Sequence, residues 1–103
     1  MDKMNEYLES MRKSMYRKKG LFVEMVQEAL WSDQESSNVI DCEYGHSDDY
    51  EPKEWIRIRF FGGHEAWINV NGNSNGANLK EIYKAVYGDG AFGEMRGAPI
   101  KVR

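Results

Sequence analysis

Apolar residues recur with a helical period at the start of the chain. Met4, Leu8, Met11, Met15, Phe22, Met25, Val26 and Ala29 fall within about 100° of one another on a helical wheel. The phase runs through Gly20 without a slip. The spacing therefore predicts one helix over residues 1–31, or two collinear pieces hinged at Gly20, where an interior glycine costs roughly 1 kcal/mol. Lys18 falls on the same stripe, where its stem can snorkel. A continuous helix here is about 42 Å long, while a domain of this size is roughly 30–35 Å across. One end must overhang, and the basic end is the expected one. A free arm, a homodimer contact or a partner-binding element each fits it.

Beyond residue 31 the period changes. Residues 32–37 read as a loop. Residues 38–44 then alternate, with Ile40, Cys42 and Tyr44 on one side and Val39, Asp41 and Glu43 on the other. Residues 45–53 read as an acidic loop. Glu54–Phe61 sets Ile56, Ile58 and Phe60 on one face, and His64–Val70 sets Ala66, Ile68 and Val70 on one face. A three-residue turn, Gly62-Gly63-His64, pairs Phe60 with Ala66, Ile58 with Ile68 and Ile56 with Val70. A two-residue turn would split the apolar set between faces, so the longer turn is preferred. The opposite face then carries Trp55, Arg57, Arg59, Phe61, Trp67 and Asn69.

After a polar turn at 71–76, Asn78-Leu-Lys-Glu81 resembles a capping box. It opens a second helix over 77–87, with Leu79, Ile82, Tyr83 and Val86 as its stripe and Gly88 as its stop. Residues 88–103 read as a flexible glycine-rich tail with a short extended end at 100–102. The order of helix, three strands and helix predicts a single α+β domain. Its economical form is an antiparallel meander over 38–70 with the helices packed on one face.

Composition adds limits. A chain of 103 residues, 41% hydrophobic, supports one modest core. The single cysteine, Cys42, excludes an internal disulfide and suits a reducing compartment. No stretch approaches the roughly 20 apolar residues that span a bilayer, and the first residues lack the apolar run of a signal peptide. A soluble, cytoplasmic protein is expected.

Charge changes the picture more. Residues 1–19 carry six bases against three acids, residues 57–103 seven against four. The middle, residues 20–56, carries ten acids against the single base Lys53. A modest net charge of −3 therefore hides a strongly acidic centre. Asp41, Glu43, Asp48, Asp49, Glu51 and Glu54 are spaced like a row of phosphates. Such a row can occupy a basic groove meant for nucleic acid, with electrostatically steered association. Its bland counterpart is a solubilising loop.

Arg12, Lys13, Arg17, Lys18 and Lys19, with Tyr16 among them, form a basic helical patch that could hold phosphates. A pI near 5.4 makes this the second reading. Catalytic and metal signatures are poor. Gly88-Asp-Gly-Ala-Phe-Gly93 matches GxGxxG by letters, but follows a helix instead of a strand. Cys42 and His46, with Asp48, Asp49 and His64 beyond, lack the paired spacing of a zinc site. Asp41 with Glu51-Pro-Lys53 echoes metal-dependent nucleases, but Pro52 puts the pattern in a loop. No enzyme activity, metal or cofactor is expected.

In size, element order and the acidic block Asp41–Glu54, the chain resembles small acidic phage anti-defence proteins, the anti-CRISPR proteins among them. The stretch Trp67–Glu81 is also similar to small phage-encoded proteins generally. The resemblance implies a non-catalytic inhibitor of phage or mobile-element origin that uses an acidic surface to block the nucleic-acid groove of a basic host protein. The basic patch Arg12–Lys19 departs from a purely acidic mimic and implies a second contact or another role.

Overall fold

The first helix is continuous. In the computed structural model, which describes residues 3–88 apart from the Gln34 side chain, α1 runs unbroken from Lys3 to Ser32 through Gly20. The rest of the tail and its GxGxxG letters lie outside the described residues. A short α2 (Gln34–Ser37) replaces the expected 32–37 loop. Then come β1 (Val39–His46), β2 (Glu54–Phe60), β3 (Glu65–Asn69) and α3 (Asn75–Tyr87). The strands form an antiparallel meander in the order β1-β2-β3, and with the helices they make an α+β fold.

The core is the sheet face predicted for β2, with Ile56, Ile58 and Phe60 buried together with Val39, Cys42, Ala66 and Val70. Three details differ from the sequence reading. The β2–β3 register is shifted by two residues, pairing Ile56 with Ile68 and Ile58 with Ala66. A shift of two keeps every side chain on its face, so the core is unchanged. The turn is Phe61-Gly62-Gly63, with Gly62 and Gly63 at φ of 99° and 93°. In β1 a bulge makes Ile40 the extra residue, because Val39 pairs with Phe60 and Asp41 with Arg59. Val39 and Cys42 therefore both reach the core, and Val39 does not share the face of Asp41. The third difference is the start of α3, capped by Ser74, four residues before the expected Asn78, with Ser74 Oγ accepting from the Ala77 N–H at 3.2 Å. Gly88 closes the helix with its N–H on the Lys84 carbonyl. Its inner face carries Asn78 and Ile82, while Leu79 and Tyr83 are exposed.

The phase of α1 also differs. The residues it buries are Tyr16, Lys19, Val23, Val26 and Leu30, about 80° round the helix from the predicted stripe. Met4, Leu8, Met11, Met15 and Met25 stay exposed. The reason is the position of α1 along β1, an edge strand with backbone groups to satisfy. Gln27 Oε1 accepts from the Cys42 N–H at 2.8 Å, and Trp31 Nε1 donates to the Ile40 carbonyl. These polar contacts fix which side of α1 turns inward.

Candidate partner-binding surface

The six acids singled out from the sequence separate into three groups. Asp41 and Glu43 lie on the outer face of the sheet, each beside an arginine of β2. Arg59 donates to Asp41 from Nε at 3.0 Å and also from Nη2, and Arg57 Nη2 donates to Glu43 at 3.0 Å. The hydrogen bond from Arg59 holds the Asp41 carboxyl below its ordinary pKa, against a smaller opposing effect of burial. These two acids are locally neutralised. Arg57 also lies over the Trp67 ring at 5.8 Å, and Trp55 lies across Gly45.

Glu54 is not on a surface at all. It is 7% exposed, and Oε1 accepts from Lys19 Nζ at 2.6 Å and from the Tyr44 hydroxyl at 2.8 Å. Its Oε2 accepts from the Gly72 N–H at 2.9 Å. Burial raises its pKa, but the three hydrogen bonds and the Lys19 charge outweigh burial and hold it below the ordinary value. Burial, and then donation to Glu54, pushes the Tyr44 hydroxyl pKa up. Glu54 therefore ties α1, the sheet and the 71–74 turn together and leaves the proposed acidic row.

The remaining acids, Asp48, Asp49 and Glu51, are exposed on the loop joining β1 to β2. The loop is closed at its base, where the Ser47 N–H donates to the Lys53 carbonyl at 2.9 Å and the Lys53 N–H to Ser47 Oγ at 3.0 Å. His46 anchors one side, stacked on Tyr16 of α1 with ring centroids 4.0 Å apart. Its Nδ1 is 3.6 Å from an Asp48 oxygen. At the tip, Tyr50 is 99% exposed. Sequence reading missed Tyr50, although an aromatic flanked by acids in a loop was a visible signal for a contact residue.

The basic residues divide as well. Lys19 is buried on Glu54 and cannot join a phosphate-binding patch. Arg12 is 3.5 Å from Glu9, one turn away. Lys13 and Arg17 border a groove with Tyr16, Tyr44 and His46, at the base of the acidic loop. Lys18 lines a separate groove with Met11, Met15 and the Gly72–Asn75 segment. At 100° per residue these bases point all round the helix and form no single face.

The candidate chemical motifs do not assemble. Cys42 is packed in the core, and burial pushes its thiol pKa up to about 12. Asp41 lies about five residues along β1 from the loop that carries Glu51 and Lys53, or roughly 16 Å. Among the described residues no three His, Cys, Asp or Glu side chains converge as a metal-ligand group. None of the described helices is long and apolar enough to cross a membrane. Comparison with protein-family models, curated proteins and solved structures finds no match.

Proposed function

We propose that this chain acts by binding another protein, without catalysis, and that the loop Ser47–Lys53 is the contact. The observation that carries this reading is Tyr50, fully presented to solvent between Asp48, Asp49 and Glu51 on a loop tied off at its base. Tyrosine is enriched among the residues that carry binding energy at interfaces, and the flanking carboxylates would steer it toward a basic groove. The partner of matching chemistry is a basic, nucleic-acid-handling host protein in the cytoplasm. Occupation of its groove excludes nucleic acid, as expected of a phage or mobile-element inhibitor of the anti-CRISPR type. The contact set contracts from six acids to Asp48, Asp49, Glu51 and Tyr50, with Asp41 and Glu43 paired to arginines and Glu54 buried.

Affinity capture from host lysate, with and without nuclease, tests the proposal. A nucleic-acid-processing protein retained in both halves, and released at least about tenfold more readily by Asp48→Lys/Asp49→Lys or Tyr50→Ala, is the expected result. Binding unchanged by both variants overturns it. The reading through the basic helix makes the opposite demand. It requires retention only without nuclease, and loss on Arg12→Glu/Arg17→Glu.

A further inference from the structure

No residue of α1 before Tyr16 is buried, and its first two turns lie outside the groove that Met11 and Met15 share with the Gly72–Asn75 segment. Along this arm Leu8, Met11 and Met15 are 53%, 52% and 46% exposed, with Met4 and Tyr7 at 62% and 65%. The spacing of Met4, Leu8, Met11 and Met15 alternates four and three residues, which is a coiled-coil seam. The next seam position is Lys18, which ends the apolar run. A helical arm this short is marginal by itself in water.

We propose that the chain forms a homodimer in which two α1 arms pack antiparallel, Leu8 of each against the partner's Met11. A twofold axis between Glu9 and Ser10 brings Leu8 level with the partner's Met11, and Met4 level with the partner's Met15. The seam then has four apolar layers and no charge. Sliding by one heptad toward the bodies sets Leu8 against the partner's Lys18, which disfavours that register. The overlap also matches the free length. Tyr16, where the folded body begins, comes level with the partner's Lys3, so the two bodies sit at opposite ends without collision.

The placement of the two bodies selects the direction. The first half of the arm carries Glu6 and Glu9 with Lys3, and the second half leads into Arg12, Lys13, Arg17 and Lys18. Glu6, Glu9, Lys13 and Arg17 all lie on the side of the helix away from the seam, so they leave its layers apolar. Parallel packing sets Lys18 against its own copy at the end of the seam and crowds both bodies at one end. A groove of about 850 Å³ runs beside the seam, walled by Met11, Met15 and Lys18 on α1 and by Gly72–Asn75 opposite. It opens where the partner's first helical turn arrives. The apolar side chains of the arm offer on the order of 500 Å² per chain. That lies at the lower limit for a specific interface, so dissociation in the micromolar range is expected. This surface is independent of the acidic loop.

Sedimentation equilibrium of the full chain across micromolar concentrations tests the proposal. A monomer–dimer equilibrium is expected, and Leu8→Glu/Met11→Glu should weaken it at least about tenfold. Both sites lie outside the core, so the variant's unfolding midpoint at concentrations where both chains are monomeric should match the parent's. Oxidation reads the direction. Leu8→Cys and Met11→Cys chains should cross-link when mixed, and Met15→Cys alone should not, because its copies lie about 16 Å apart along the axis. A chain monomeric throughout, a dimer untouched by the double variant, or ready self-linking of Met15→Cys would overturn the proposal.

Discussion

A single buried carboxylate, Glu54, joins three parts of the molecule. It receives Lys19 from α1, Tyr44 from β1 and the Gly72 N–H from the turn before α3. Its own N–H donates to Asn71 Oδ1, so both side chain and backbone hold the turn. Removing one member of a buried pair leaves the other charge in a poorly solvated site. Glu54→Gln should therefore cost about 3 kcal/mol in a urea titration. Lys19→Met combined with Glu54→Gln should recover most of that loss, because no charge is then stranded and the Gln oxygen still accepts from Gly72. A double variant as unstable as the single one would mean that the hydrogen bonds, not the charge pair, carry the effect. Cys42 gives a second test at this scale. Its thiol, buried and shifted to about 12, should react with Ellman's reagent at pH 8 only as fast as the chain opens. Rapid labelling of the folded chain would contradict that burial.

Two glycines separate the behaviour of helix and strand. In α1, a Cβ on Gly20 would meet only Tyr44 Cδ2, at an ordinary 3.8 Å. Gly20→Ala should raise stability by about 1 kcal/mol, read as a higher melting temperature. A loss would show that the helix needs a hinge there. In β1, a Cβ on Gly45 would come within 2.6 Å of the Trp55 ring, so Gly45→Ala should lower stability by about 1–3 kcal/mol. The element order and the core face of β2 were legible in the sequence because one period governs each stretch. The inward face of α1 was not, because the helix carries two stripes. Its longer methionine stripe faces solvent, and its buried one contains Lys19, whose acid lies 35 residues away. The β1 bulge left no local signal, because Val39 and Ile40 are equally apolar. Ser74 was overlooked as the cap because the Asn73–Asn78 stretch offers several capping residues. The acidic block was legible as composition, but its division was not. Whether an acid faces Arg57, Arg59 or Lys19 depends on strand pairing and on the phase of α1.

For the molecule as a whole, pairing of acids with bases makes stability depend on acid in a definite direction. Glu54 and Asp41 both have folded pKa values held below their ordinary 4.5 and 3.8. A group whose pKa is depressed by folding binds fewer protons in the folded chain than in the unfolded one through that interval. Its contribution is complete above the unfolded value and is lost as pH falls through the folded value. The Asp41–Arg59 pair is half exposed and screened by solvent, so it contributes little. Glu54 is the larger lever, and protonating it also strands the Lys19 charge. The urea midpoint should stay flat in this respect from neutral pH down to about pH 4.5, then fall. In Glu54→Gln the whole curve should lie lower and the acid limb should be shallower, because the group that titrates is gone. Equal acid limbs in the two proteins would show that the coupling between folding and protons resides elsewhere.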